Sequence, residues 1–552
     1  MKRYLIFIIV IAIFGCKKTE KKEYYVKPIE VVCDYPFNDT AKWAITCRVW
    51  GLLKYYHPNV TSGKLDWDKV LLDKMDKINE AQTPEMVNVE LMNMIHDAGK
   101  YKGTVDKKWN DSLNMNVSLC WLDHSFINNT IRQELRKIAS FTVKQPSYYI
   151  GSNIIGALAF DNEKDYSLSN NLDYKYSMLA LFRYWNAIYY FFPYKYLMDH
   201  SWDITLEEFI PLFINSSNLE NYRETILKLA AKINDGHAST TVSPAADLYS
   251  RITVLIDTLT VIRIPPEESM LKRGDIILSV KGKEIKNVRD SLEVIIPSSN
   301  RHFTNKMINS IIDKSILEGC EITVLREQEK LSVKEEQKIF APKKISQPFY
   351  PISADIAYFN LDLLKDLDIS VMIDSMEHTR CVIFDLRNYP GLSINNSWKY
   401  LFCRLTSERN YQYGRVHVAH LSHAGSFYIM RTFSGFPDEK DNLCKKYNGK
   451  VVVLINEITI SAAETLAMSF KIHGATLIGR PTAGANGDVA RLKLPGGIEA
   501  GVSSLGFYYP DGFQMQRKGV IPDIEVYPTM ESIIEGKDEI LEEAIKYTNS
   551  LK

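Results

Sequence analysis

The chain carries no surplus of either charge. Its 552 residues hold 67 Lys and Arg against 67 Asp and Glu, so no global field recruits nucleic acid or an acidic surface. Cysteine is scarce: eight residues, none in a CxxC, which excludes a disulfide scaffold or a zinc site read from spacing. The one marked apolar run, Tyr4 to Phe14, is eleven residues long, too short to span a bilayer. No cofactor or metal motif is found, and none is expected. What is present is an ordinary globular composition, 45% hydrophobic and 24% charged. The length suits about three to four domains.

The N-terminus reads as a signal rather than as fold. Met1-Lys2-Arg3 is basic, the apolar run follows, and Gly15-Cys16 closes it, the layout of a signal peptide over 1–16. The ending Ile13-Phe14-Gly15-Cys16 resembles a bacterial lipobox. That resemblance implies a diacylated Cys16 as the first mature residue, and two or more acyl chains anchor stably. Lys17 to Tyr24 begins a solvated tether, taken as 17–34. The expected location is the bacterial cell envelope, lipid-anchored at the outer membrane or on a periplasmic face. Seven cysteines then remain, Cys33, Cys47, Cys120, Cys320, Cys381, Cys403 and Cys444, an odd number expected to serve mostly as small core hydrophobes.

Residues 35–242 contain an internal repeat. Arg48-Val49-Trp50, Tyr55-Tyr56-His57-Pro58, Trp67-Asp68 and Leu71 recur as Arg183-Tyr184-Trp185, Tyr190-Phe191-Phe192-Pro193, Trp202-Asp203 and Leu206, each 135 residues on (48 to 183, 68 to 203). Each unit predicts a helix, a Pro-broken turn and a helix starting near Trp-Asp. The aromatic stripes read as helix-packing core. The units continue into Leu91 to Gly99 and Leu229 to His237, now 138 residues apart, so that His237 stands where the first copy has Gly99.

The pattern changes over 243–341 to short strands and turns. Ile252 to Ile256 and Leu259 to Ile264 alternate like strands. Met270-Leu271-Lys272-Arg273-Gly274-Asp275-Ile276-Ile277-Leu278-Ser279-Val280-Lys281-Gly282 resembles the signature of PDZ domains, which bind an extended peptide as an added strand. A hairpin module without ligand is the plainer alternative.

From 342 to 552 strands and helices alternate: Ile356 to Leu361, a helix from Leu363 to His378, a buried strand from Cys381 to Arg387, the run Val451 to Ile455, and Leu477 to Gly479. Alternation of this kind predicts a layered α/β domain, whose ligands bind beyond the strand C-termini. At that edge, Val451 to Ile455 gives way to Ser461-Ala462-Ala463-Glu464 and a helical pattern to His473. Ser461 with Glu464 three residues on is a capping box. The same geometry exposes a hydroxyl beside unpaired N–H groups, as an attacking serine requires.

Three segments in order, Asp385-Leu386-Arg387-Asn388-Tyr389-Pro390-Gly391, Ser461-Ala462-Ala463-Glu464, and Arg480-Pro481-Thr482-Ala483-Gly484-Ala485-Asn486-Gly487, together with the PDZ-like signature, resemble the C-terminal-processing (tail-specific) serine peptidase family. The resemblance implies a multidomain α+β protein. It would have a helical N-terminal repeat domain, a PDZ-like β module and a layered α/β (ClpP/crotonase-like) catalytic domain. In one branch of the family a downstream Lys activates the serine, but the turn Thr482 to Gly487 has none, and Lys471 reads as a surface residue. The other branch resembles the tricorn protease core, whose base is a His before the PDZ domain, and Asn234-Asp235-Gly236-His237 fits that pattern. Ser461 would be the nucleophile and His237 the general base and acid, suited by the ordinary pKa of imidazole. By the same resemblance, the N–H groups of Gly391 and Ala462 form the oxyanion hole.

One position departs. Before Gly519-Val520-Ile521-Pro522-Asp523 the branch has a Glu, but this chain has Gln516, which can orient by hydrogen bonding without supplying charge. Gly236 likewise has no hydroxyl to contribute to a relay. The expected activity is hydrolysis of polypeptides through an acyl-Ser461 intermediate. The alternative is a non-catalytic binder of peptide or an apolar ligand on the same fold.

Overall fold

The computed structural model describes residues 36–105, 117–168, 172–244, 247–338, 348–365, 368–391, 398–406, 410–435 and 445–551. The expected signal peptide and tether, with Cys16, Cys33 and Cys444, lie outside the described residues. The chain is a mixed helix-and-sheet, multidomain protein that groups into two compact units. One joins 1–242 with 417–430 and 488–506; the other joins 243–416 with 431–487 and 507–552. Among the described residues no helix is long and apolar enough to cross a membrane.

The first unit is built on two 18-residue helices, Asp39–Tyr56 and Tyr174–Phe191, whose bounds lie 135 residues apart (39 to 174, 56 to 191). Asn38 and Asp173 cap their starts by accepting from the N–H groups of Ala41 and Lys175. Both stop one residue before an X-Pro step, at Pro58 and Pro193, because proline pushes its predecessor out of the helical region. The helices Trp67–Leu72 and Trp202–Ile214 start at the same offset.

Paired side chains lock these elements. Trp50 Nε1 donates to the Trp67 carbonyl at 3.1 Å and Trp67 Nε1 to the Trp50 carbonyl at 3.0 Å. Trp185 and Trp202 repeat the exchange at 2.8 and 3.0 Å. The charges cross over instead: Arg48 pairs with Asp203 at 2.9 Å and Arg183 with Asp68, all four buried. Gly51 stands at the offset of Asn186, and a Cβ on it would meet Asn186 Oδ1 at 1.8 Å. Its absence lets the two long helices touch, with Asn186 Nδ2 donating to the Cys47 carbonyl at 3.1 Å.

In the second unit, strands run in the order Ile524–Glu525, Thr476–Gly479, Lys450–Ile455, Cys381–Asp385, Ile356–Asn360 and Phe349–Ser353. All neighbours are parallel except the last pair. Alternate residues of the central strands, among them Tyr358, Ile383, Val452 and Ile478, pack on Ile540 and Ala544 of the helix Glu539–Ser550. Phe359, Phe384 and Phe470 stack on the other face, where the helix Ala462–Ile472 lies. A separate antiparallel sheet, Thr253–Ile256, Leu259–Ile262, Ile276–Val280, Glu321–Arg326 and Glu329–Lys334, closes over a core that includes Ile308 and Ile312 of the helix Arg301–Leu317.

Two sequence expectations are corrected. The helix expected from Leu363 runs only over Ile369–Glu377. Asn360 draws the chain into a turn first, its carbonyl accepting from Leu363 and Leu364 N–H at 3.2 Å each. The strand expected to reach Arg387 stops at Asp385, because Arg387 folds back to give Asp385 its N–H at 3.0 Å and its Nε at 2.9 Å. Among the described cysteines, Cys47, Cys320 and Cys381 are free and buried, and Cys120 and Cys403 each take part in a disulfide.

Candidate functional site

The loops that follow the parallel strands in the second unit gather at the sheet's C-terminal edge, where open α/β sheets bind ligands. Thr459, fully buried, ties two of them together: its hydroxyl donates to the Leu386 carbonyl at 2.9 Å and accepts the Asn456 N–H at 3.1 Å. Two residues later Ser461 begins the helix Ala462–Ile472. Its backbone sits at φ 58°, ψ −121°, a region that suits glycine and costs other residues about 1–3 kcal/mol. Only a well-determined surrounding keeps a side chain there.

That surrounding is Glu464. Its buried carboxylate accepts from the Thr482 hydroxyl, from Gly484 N–H at 2.7 Å, Ala485 N–H at 3.0 Å and Ser461 N–H at 3.3 Å. The capping box expected from the sequence is present in both directions. The Glu464 N–H faces the Ser461 hydroxyl and also bonds the Ser461 carbonyl, at 2.9 Å. Burial pushes the Glu464 carboxyl up to about 7, against the pull of its four donors. The Ser461 hydroxyl is half-buried, and among the described residues the Ala462 N–H beside it heads the helix unpaired.

The other predicted residues of this unit are placed as follows. Gly391 lies in the loop after Cys381–Asp385, with its N–H donated to the Leu361 carbonyl at 2.8 Å. Gln516 is fully buried, and its Oε1 accepts the Asn486 N–H at 3.3 Å, bracing the turn that also serves Glu464. Lys471 is partly exposed and paired with Asp523 at 3.0 Å.

His237 belongs to the first unit. The helix Leu219–Ala231 ends ahead of Asn234, which takes φ 56°; its Oδ1 accepts the Asp199 N–H and its Nδ2 donates to the Asp199 carboxylate, at 2.9 Å each. The chain then runs beside the strand Ile498–Ser503: Gly501 N–H donates to the Ser239 carbonyl at 2.7 Å, and Thr240 bridges Ala500. Gly501 permits this approach, since a Cβ there would stand 2.7 Å from the His237 carbonyl oxygen. The half-buried imidazole has its Nδ1 at 2.9 Å from the hydroxyl of Ser503. That hydroxyl donates to Asp235 Oδ1 at 3.0 Å. Asp235, fully buried, also accepts Ser503 N–H at 2.8 Å and His237 N–H at 3.3 Å. Burial lowers the imidazole below its ordinary range, opposed by the charges of Asp235 and Asp488.

The structure thus groups Ser461, Ala462, Gly391 and Gln516 in one unit and places His237 in the other. Ser503 and Glu464's wider role are additions to the sequence reading. Ser503 stands in an unremarkable Val502-Ser503-Ser504 strand end, 266 residues from His237, and no local signal marks it. Among the described residues no group of three His, Cys, Asp or Glu side chains is placed to hold a metal ion.

No curated protein sequence matches the chain. Among solved structures, mature CPAF bound to lactacystin aligns over 68% of this chain and 98% of its own, at 13% identity and a TM-score of 0.52. Mature CPAF alone covers the same shares at 14% identity and 0.51. A peptidase-like structure from Parabacteroides merdae covers 69% and 97% at 15% identity and 0.41. At these identities the CPAF likeness is one of fold. Residues 355–526, which hold Gly391, Ser461, Glu464 and Gln516, match the model of peptidase family S41.

Proposed function

We propose that the protein is a serine peptidase that hydrolyses polypeptides through an acyl-Ser461 intermediate. The observation that carries the reading is Ser461 itself: a half-buried hydroxyl, on a strained backbone, at a helix start inside the stretch that matches the S41 model. His237 is the base that takes the Ser461 proton and returns it to the leaving amine. The Ala462 N–H and the Gly391 N–H receive the oxyanion, the latter after releasing the Leu361 carbonyl. Gln516 orients the turn around the site. The PDZ-like module over 243–341 engages substrate ends, and Cys16 carries the lipid anchor to the bacterial envelope.

A fluorophosphonate probe tests the nucleophile. Wild type is labelled and Ser461→Ala is not; equal labelling of both removes the assignment. The engaged Gly391 N–H and the uncharged Gln516 favour a second reading, a peptide or apolar-ligand binder that does not cleave. Casein digestion separates the two: wild-type cleavage that disappears in His237→Ala supports the peptidase, and no cleavage by either protein supports the binder.

A further inference from the structure

We propose that Ser503 and Asp235 hold His237 as the tautomer protonated on Nδ1, presenting Nε2 bare to accept a proton. The inference rests on the reading of His237 as the base, and it supplies the acidic support that Gln516 cannot. Proton bookkeeping within the first unit leads to it. Both oxygens of Asp235 receive backbone N–H groups, from His237 at 3.3 Å on Oδ1 and from Ser503 at 2.8 Å on Oδ2. Such groups can only donate, so the carboxylate is an acceptor here. The Ser503 hydroxyl has a single proton, and Asp235 Oδ1 at 3.0 Å takes it. The Ser503 oxygen facing His237 Nδ1 at 2.9 Å then has only lone pairs to offer. Nδ1 must therefore be the donor.

The consequence for catalysis is electrostatic and geometric. When Nε2 takes the proton of the attacking hydroxyl, the imidazolium keeps its Nδ1–H on Ser503, and the Ser503 O–H stays on Asp235. No proton moves along the relay. The buried carboxylate stabilises the new positive charge through one intervening hydroxyl, and the ring is fixed in plane. Asp235 and Asp488 are the charged groups acting on the ring, and both favour its protonated form. Ser503 is thus a positioning residue, since it acts through His237.

Full-length protein labelled with ¹⁵N-histidine reads the tautomer directly, with His237→Gln identifying the signals. At neutral pH the wild-type ring should show Nδ1 protonated and Nε2 bare; the reverse pattern overturns the proposal. With a fluorogenic peptide built on a casein bond that the wild type cleaves, Ser503→Ala should lower kcat about 10²-fold and leave KM within about twofold. Its acid limb should move to lower pH, because the imidazolium has lost its acceptor. Ser503→Thr, which keeps the hydroxyl, should recover most of kcat. If His237→Ala is inactive while Ser503→Ala keeps wild-type kcat and acid limb, the relay is overturned and the base assignment stands. If the wild type neither cleaves nor labels yet shows the Nδ1–H tautomer, the hydrogen-bonded relay is supported and the peptidase reading falls.

Discussion

Gly501→Ala tests how His237 is held without touching any polar group of the site. The new Cβ would sit 2.7 Å from the His237 carbonyl oxygen, 3.2 Å from the Ser239 carbonyl oxygen and 3.3 Å from Val489 Cγ1. Ordinary contact begins at 3.4 Å, so the two backbones must part by about 0.7 Å (3.4 minus 2.7). Neither can yield by rotating a side chain. The His237 loop and the strand Ile498–Ser503 are also bonded on either side of this point, through Gly501 N–H and Ser239 at 2.7 Å and through His237 Nδ1 and Ser503 at 2.9 Å. Opening the gap therefore tilts the imidazole away from its hydroxyl partner. Overpacking of this kind costs about 1–3 kcal/mol of stability. A displacement near 1 Å at a reacting group costs on the order of 10²-fold in rate. The assay is the rate of fluorophosphonate labelling at neutral pH, run beside a thermal melt. Ile498→Val in the same strand, expected to cost about 0.5–1.5 kcal/mol, controls for destabilisation alone. Gly501→Ala should label about 10- to 10²-fold more slowly and Ile498→Val at the wild-type rate. A Gly501→Ala protein that melts earlier but labels normally would refute the link between this strand pairing and reactivity.

Three further outcomes are expected. Asp203→Ala removes the carboxylate that pairs with buried Arg48 at 2.9 Å and should cost on the order of a few kcal/mol, read as a lower melting temperature that Arg48→Met largely restores in the double variant. Glu464 keeps its proton up to about pH 7 when folded, against an ordinary value of 4.5. The stability it contributes is therefore full below about 4.5 and lost as pH rises through about 7, roughly 3 kcal/mol at 1.36 kcal/mol per unit. In urea titrations across that range the gap between wild type and Glu464→Gln should change by about this amount, and parallel pH curves would contradict it. Ser461→Gly should be more stable than Ser461→Ala by about 1 kcal/mol, since relief of the strained backbone exceeds glycine's extra unfolded-state entropy. Equal urea midpoints for the two would show that φ 58° stores no strain.

The sequence made some of this legible for identifiable reasons. Ser461 could be placed at a strand end and helix start because a β-branched run, Val451 to Ile455, meets small residues and then a helical pattern. Helix limits near Pro58 and Pro193 were readable because proline acts on its neighbour locally. What escaped is long-range. Glu464 reads as a capping partner, yet three of its four donors come from Thr482, Gly484 and Ala485, 18 to 21 residues on. The Ser503 hydroxyl meets His237 only because a hairpin, Val489–Leu494 and Ile498–Ser503, pairs with the loop after Leu219–Ala231. Residues 488–506 follow the turn from Thr482 to Gly487 in sequence but group with the helices of the first unit, and no periodicity announces where a hairpin docks. The bonded state of Cys120 and Cys403 is equally invisible to spacing.

The two acidic residues that follow from the geometry divide the work differently from a single C-terminal Glu. Glu464 is close to Ser461 in sequence and could be taken for the missing acid. Its oxygens argue against that: one holds the Thr482 hydroxyl and Gly484 N–H, the other Ala485 N–H and Ser461 N–H. Four donors that shape the turn already occupy its two oxygens, and burial holds it protonated up to about pH 7, so it is a poor source of negative charge for a base. It fixes the backbone that carries Ser461. Asp235 is placed to do the other task, because one of its oxygens reaches the hydroxyl that contacts Nδ1. Gln516 can then be neutral at no electrostatic loss, and its amide oxygen is left to hold Asn486. On this reasoning Gln516→Glu should not accelerate the enzyme. It would bury a charge beside Asn486, and hydrolysis of casein should fall or stay level. A clear gain in rate would show that the acid is still wanted at residue 516 and that Asp235 does not supply it.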